Sequence, residues 1–347
     1  MTTTAGFWNG QSVLVTGHTG FKGTWLTHWL RRLGADVAGC SLGPTSEPNL
    51  WTLLGRPVSG PSIDVRDATA IRAACAECRP SVVFHLAAQA FVLESYRHPT
   101  ETIETNVMGT VAVLAAALAE DSVRCVVVVT SDKVYRPGNH AHRESDPLGG
   151  DDPYSASKAM AELATHAYRG LIPPARTLAL VSGRAGNVIG GGDWGIDRVL
   201  PDVVRSLVES REPILRNPTA IRPWQHVLDP LHGYLLLAQA AFERPETLRD
   251  SYNFGPEREC SVSDLVDRFL ACWPEASPWR RGHATRRENP DLRLDATRAG
   301  IDLGWRPRLD LDSGIRWTAE WYRRWHEGDD VVALCDEQLD RYEERTS

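Results

Sequence analysis

The stretch from Ser12 to Gly34, SVLVTGHTGFKGTWLTHWLRRLG, decides the fold. It opens on apolar, β-branched residues that read as a buried strand over Ser12 to Thr16. A loop with glycines at 17, 20 and 23 follows, and apolar residues then recur at helical spacing, which predicts a helix near 21–33. Gly17 and Gly20 let the chain turn tightly and approach a pyrophosphate, Gly23 lets helix and strand pack closely, and the helix start offers free N–H groups. The spacing is GxxGxxG rather than GxGxxG. Strand, loop and helix together support dinucleotide binding over the simpler reading of a βα corner whose glycines serve only the turn.

Outward from this unit, strand-like runs alternate with helical patterns, as in a parallel sheet covered on both faces. Further strands are expected at Val37 to Leu42, Val82 to Leu86, Val123 to Thr130 and Thr177 to Gly183, with helices near 68–77, 100–119 and 154–170. The fold class is therefore α/β, a Rossmann-type doubly wound sheet with a smaller mixed α/β domain. VRCVVVVTS is almost wholly β-branched, so its strand is buried on both faces and delivers Ser131, Asp132 and Lys133 at its carboxyl end, the edge where such sheets bind ligands. Past about residue 186 the texture changes to short elements rich in Gly, Pro and Trp. This divides the chain into a dinucleotide domain, 1–186 with a returning segment near 223–252, and a substrate domain, 187–222 with 253–347.

The second chemical signal is YSASK, Tyr154 to Lys158. Two residues four apart share a helix face, where an ammonium and an oxidised nicotinamide lower a phenol's pKa from its usual value near 10. Tyr154 then becomes a base for a hydroxyl proton. Alone the pattern fits an amphipathic helix with a snorkelling lysine; the nucleotide loop upstream favours chemistry.

Composition bounds the rest. The 347 residues are 42% hydrophobic and 24% charged with a net charge of -7, ordinary for a soluble globular chain and unlike a nucleic-acid binder. No apolar stretch is expected to approach a membrane span, and MTTTAGFWNG carries no signal-peptide pattern. Seven scattered cysteines fit a reducing, cytoplasmic setting. Cys75 and Cys78 form a CxxC inside a helical stretch without a partner pair, and His140 and His142 lie in a polar loop without acidic or cysteine ligands at useful spacing, so no metal is expected. Trp317, Trp321 and Trp325 recur every fourth residue behind Asp312 or Ser313 as a cap, a packed helix face rather than a sugar platform.

Taken together, FWNGQSVLVTGHTGFKGTWL, EPNLW, FHLAAQ, TNVMGT, TSDKVY, DPLGG, PYSASK, RAGNVIGGGDW and IRPWQHVLDPL resemble the extended short-chain dehydrogenase/reductases that modify nucleotide sugars, over roughly residues 7 to 325. HTGFKG with RAGNVIGGGDW and RPWQHV points to the 4,6-dehydratases of CDP-sugars. The resemblance implies CDP-glucose as substrate, NAD as a tightly held cofactor and a homodimer formed through the helices near 100–119 and 154–170. Residue by residue, it implies that Tyr154 takes the C4 hydroxyl proton and Ser131 bonds the developing carbonyl. Lys158 holds the nicotinamide ribose, and Asp132 protonates the departing C6 hydroxyl. Gly17, His18, Gly20, Phe21, Lys22, Gly23, Asp64, Val65, Leu86, Ala87 and Ala88 would touch the cofactor, and Gln89, Asn187, Arg198 and Arg222 the substrate.

Several points stay open. Lys133 stands where the dTDP-glucose branch has a glutamate, so it acts either as a neutral base for the C5 proton or as a cation that stabilises the enolate. CSLGPTSEPN has neither the acidic residue of an NAD ribose site nor an arginine for NADP; only the resemblance selects NAD. VYRPGNHAHRES, Val134 to Ser145, is shorter than the family's loop and lacks its tryptophans, and Asp151 stands where tyrosine is expected. The competing readings are a dehydratase or epimerase of another nucleotide sugar, which for an epimerase needs no Asp132 acid, and a non-catalytic dinucleotide sensor, which would not need Tyr154 and Lys158.

Overall fold

The computed structural model describes residues 5–58, 60–274, 276–283 and 292–345; the extreme ends of the two expected domains and a stretch of the second lie outside them. The first half builds β1 (Ser12–Thr16), α1 (Phe21–Arg32), β2 (Asp36–Cys40), α2 (Ala68–Cys78), β3 (Val82–His85), α3 (Pro99–Ala119), β4 (Cys125–Val129), α4 (Pro153–Arg169) and β5 (Ala179–Ala185). The chain then makes α5 (Val199–Val208), returns through α6 (Leu228–Glu243) and β6 (Ser251–Phe254), and ends in α7 (Val262–Leu270), α8 (Leu311–Glu327) and α9 (Val331–Glu344). Six strands pair in parallel in the order β6-β5-β4-β3-β1-β2. Because β1 sends the chain to β2 on one side while β3 lies on the other, the strand order reverses between β1 and β3, and a crevice opens at their carboxyl ends.

The β-branched run in β4 is buried at every position. Val126 and Val128 pack with Ile71 of α2 and Val113 and Leu114 of α3, while Val127 and Val129 pack on the opposite face with Leu231 and Leu235 of α6. Helix boundaries follow their caps. Asp67 accepts from the N–H groups of Thr69 and Ala70 to start α2, and Asp152 accepts from Ser155 N with Pro153 at the first position of α4.

Two expectations need correction. The cap of α8 is Asp310, whose carboxylate accepts from Ser313 N, not Asp312 or Ser313. Ser313 is the third residue of the helix, and its N–H is one of the orphan donors that a cap satisfies. Among the described residues, α3 is also long and apolar enough to cross a membrane by length and composition, with a mean hydropathy of 1.5 in its most apolar window. Half of that window is buried in the fold, where α3 packs between α2 and α4. The tryptophan stripe of α8 is a packed face: Trp317 and Trp321 are buried, and Trp321 Nε1 donates to Cys335 of α9.

Candidate active site

The loop after β1 is shaped by two glycines. Gly17 has a φ of +75°, and a Cβ there would lie 2.6 Å from Ala87 N, so the loop is drawn against the end of β3. A Cβ on Gly23 would lie 2.1 Å from Gly17 O, so helix and loop touch. Gly20, at φ -77°, is less constrained, and no side chain caps the first turn of α1, which leaves its N–H groups facing the crevice. These features fit a dinucleotide pyrophosphate. Thr16 Oγ1 accepts from Ala87 N and is bonded at 2.7 Å to His85, which reaches Thr110 of α3 at 3.0 Å; this buried chain fixes Leu86 to Ala88 beside the loop.

Other cofactor candidates divide. His18 is buried, with Nδ1 3.1 Å from Ser41 Oγ, so it ties the loop to the end of β2. Asp64 has its carboxylate engaged by the side chain and backbone N–H of Arg66, and burial covers Val65 beside it. Phe21 is half-buried at the start of α1. Lys22 does not face solvent. Its Nζ reaches Tyr234 OH at 3.4 Å, and burial, then the charges of Lys158 and Arg198, lower its pKa to about 7 against the pull of Asp132.

The catalytic candidates converge at the carboxyl end of β4. Asp132 to Val134 form one 3₁₀ turn, with Ser131 Oγ accepting from Lys133 N and donating to Asp132 Oδ1 at 2.9 Å. Asp132 is 3% exposed, and its Oδ2 is buried without a hydrogen-bond partner. An acceptor left open in this way is placed to meet a donor from a ligand. Lys133 is half-buried at the rim of the turn. Tyr154, Lys158 and Glu162 stand at successive fours on α4 and are all buried.

Burial raises the Tyr154 phenol to about 12, opposed by a hydrogen bond with Ser131 and by the charge of Arg198. Lys158 Nζ donates to Val129 O at 3.2 Å. Burial brings Lys158 down to about 8, and Glu162 opposes the fall.

Of the substrate candidates, Asn187 keeps a buried, unpartnered Oδ1, and Arg222 is 4% exposed with NH1 donating to Ile221 O. Arg198 lies over the Phe91 ring at 5.0 Å and binds both oxygens of Asp193. Gln89 is turned inward, its Nε2 donating to Phe91 O and Thr102 Oγ1, so it braces its loop rather than presenting a free amide. Two residues beyond the sequence candidates complete the site. Glu162 receives Thr130 Oγ1 at 2.6 Å and a forked contact from Arg184 of β5 at 2.9 and 3.0 Å, joining the helix of Tyr154 to the strand ends that carry Ser131. Tyr234 of α6 holds Lys22. The four-residue repeat Tyr154, Lys158, Glu162 was a sequence signal for the first; for Tyr234 there was none.

Cys75 and Cys78 sit on α2, and burial pushes their thiols up to about 12 and about 11, which keeps both protonated at neutral pH. The expectation that His140 and His142 have no acidic neighbour fails: the loop turns back so that Asp146 meets both rings.

Residues 13–255 match the model of the NAD dependent epimerase/dehydratase family. The chain is 40% identical over 98% of its length to the CDP-glucose 4,6-dehydratase of Salmonella typhimurium, of which it covers 98%. It is 31% identical to the dTDP-glucose 4,6-dehydratase of Streptomyces antibioticus, over 90% of this chain and 92% of that protein. Among solved structures, a double mutant of the dTDP-glucose 4,6-dehydratase of Streptomyces venezuelae with NAD bound superposes with a TM-score of 0.79 at 25% identity, over 92% of this chain and 99% of that one. The Thermus thermophilus UDP-glucose 4-epimerase with NAD superposes at 0.78 and 25% identity, over 90% and 98%.

Proposed function

The chain belongs to the NAD dependent epimerase/dehydratase family, and from that premise we propose that it is a CDP-glucose 4,6-dehydratase that makes CDP-4-keto-6-deoxy-D-glucose. The observation that carries the reaction type is Asp132, a buried carboxylate with one oxygen open beside Ser131 and Tyr154. An epimerase needs a base and a hydride carrier; expelling a C6 hydroxyl needs an acid as well. The nucleotide is inferred from the Salmonella typhimurium relative.

Bound NAD supplies the hydride acceptor at C4 and the hydride donor at C6. Tyr154 accepts the C4 hydroxyl proton while Ser131 donates to the forming carbonyl, and Lys158 holds the nicotinamide ribose with its positive charge toward the phenol. Burial holds the phenol high, and a bound oxidised nicotinamide would supply positive charge that lowers it. The C4 ketone acidifies the C5 proton, which Lys133 removes, or which a water takes while the Lys133 cation stabilises the enolate, and Asp132 as general acid gives a proton to the C6 oxygen, which leaves as water. A proton then returns to C5 as C6 is reduced.

In this reading the sheet half holds NAD, with the phosphate loop, Asp64, Val65 and Leu86 to Ala88 along it. The segments 187–222 and 253–347 hold the sugar nucleotide, with Asn187 and Arg222 at the diphosphate and Arg198 near the sugar. The exposed apolar residues Met108 of α3 and Leu163 of α4 support a homodimer through these helices, and seven unpaired thiols suit a cytoplasmic enzyme. The test is incubation with NAD and CDP-, UDP-, dTDP- or GDP-glucose. CDP-glucose is expected to lose one water by mass and give the alkali-induced absorbance of a 4-keto sugar; intact protein that does neither overturns the reading. Full turnover by Asp132→Asn on any of the four favours an epimerase.

A further inference from the structure

We propose that His140, His142 and Asp146 form a binding site for a divalent transition-metal ion, with zinc the ion whose preferences they match. His140 Nε2 lies 2.7 Å and His142 Nδ1 3.1 Å from the same oxygen, Asp146 Oδ2. All three ligand atoms lie within 4.8 Å of one another. Zinc binds imidazole nitrogen and carboxylate oxygen at about 2.0–2.2 Å, which puts tetrahedral ligands roughly 3.3 Å apart. The ring-to-carboxylate distances therefore need to open by about 0.6 and 0.2 Å, and the widest separation, up to 4.8 Å, to close by as much as about 1.5 Å as the exposed His140 swings in. The rings meet at 62°, so the nitrogens approach from different directions.

The site is held before any ion arrives. The His142 ring is buried and stacked on Tyr135 at 4.8 Å with an angle of 7°, and its backbone N–H donates to Arg293 O at 2.9 Å. Asp146 is set by a turn in which its own N–H donates to Arg143 O. His140 is exposed and closes the site from the solvent side, leaving the fourth position for water.

The competing account is a pair of imidazole–carboxylate hydrogen bonds that closes the loop. In that arrangement three N–H groups crowd one oxygen, since Arg143 N also donates to Asp146 Oδ2 at 3.2 Å. A cation replaces two of them, each ring then carrying its N–H on the other nitrogen. The loop joins the turn of Ser131 to Lys133 with the helix of Tyr154. Tyr135, stacked on His142, bonds Arg184 at 2.8 Å and Asn253 at 2.6 Å, so an ion here stiffens the connection between the two halves of the catalytic group.

The test uses the full chain after metal stripping, titrated with Zn²⁺ and, for its spectrum, Co²⁺. One equivalent per chain is expected, with a visible cobalt d–d band and no thiolate charge-transfer band. Affinity is expected to fall at least tenfold in His140→Ala and in Asp146→Asn, and Zn²⁺ to raise the melting temperature of the parent only. Because His140 is exposed, an unchanged melting temperature of metal-free His140→Ala certifies the fold. No stoichiometric binding, equal affinity in both variants, or a thiolate band assigning the metal to the cysteines overturns the proposal.

Discussion

Lys133 is half-buried and directly follows an acid whose Oδ2 has no partner. Its two roles separate by substitution. Lys133→Met removes base and cation together and is expected to lower turnover on the order of 100-fold or more. Lys133→Arg keeps only the cation, since a guanidinium does not deprotonate in proteins. Substantial recovery in Arg, read by turnover and by solvent deuterium entering C5, assigns the electrostatic role; turnover as low as in Met assigns the base. Glu162 acts one residue removed from the chemistry. It opposes the fall of Lys158, whose pKa lies at about 8. Lys158 is charged below that value and neutral above it, so activity that needs the cation fails on the alkaline side. Glu162→Gln keeps a hydrogen-bond acceptor for Thr130 but removes the charge, and the alkaline limb of the pH–rate profile is expected to move toward neutral pH. A variant that merely loosens the fold lowers the whole profile without moving its limb. Neither relation was legible in sequence beyond the four-residue spacing, because the partners of Glu162 come from separate places, Thr130 just after β4 and Arg184 in β5.

At the scale of elements, the regular first half was legible because short apolar runs, most β-branched in β1 and β4, alternate with longer helical patterns, with boundaries within two residues of expectation for most. What was not legible has local physical causes. The middle of α3 widens into a π turn over Glu104–Met108, where Asn106 bonds the backbone of Gln89 and Ser157 of α4; single-turn π segments have no periodicity to read. The short paired strands past residue 186 are only two residues long, too brief for any pattern. The joining of α9 to α6 through a buried carboxylate was also invisible, since its partners are far apart in sequence. Asp229 Oδ1 accepts from Tyr342 OH and Arg308 N, both at 2.8 Å, while burial raises its pKa to about 7. A carboxyl raised in the folded state binds its proton more tightly there than when unfolded. Its contribution is complete below about pH 4 and is lost as the pH rises through about 7, on the order of 4 kcal/mol across that span. Asp229→Asn cannot ionise, so its melting temperature is expected to decline less than the parent's between pH 5 and 8; parallel curves would show that Asp229 does not titrate.

At the scale of the whole molecule, two helices beside the site present apolar side chains to solvent. Met108 on α3 is 54% exposed and Leu163 on α4 57%, and Ile103 adds to the same helix. Isolated exposed apolar residues need no explanation, but two adjoining long helices that each carry one are what an isologous interface uses, because a two-fold axis doubles the patch against itself. A stable contact of this kind buries at least about 1,000 Å² in total, which four helices in a bundle supply. A charge at its centre is costly, because it is desolvated without a partner in both copies. On the homodimer proposed above, Met108→Glu with Leu163→Glu is therefore expected to halve the mass in solution, from twice 38.4 kDa to one chain, when read by light scattering at the exit of a sizing column. NAD binding is expected to persist in that monomer, since the phosphate loop and the Leu86 to Ala88 segment are fixed by the buried Thr16, His85 and Thr110 chain within a single copy. An unchanged mass would place the interface elsewhere; a monomer unable to bind NAD would mean that the second copy braces α4, and through it Lys158.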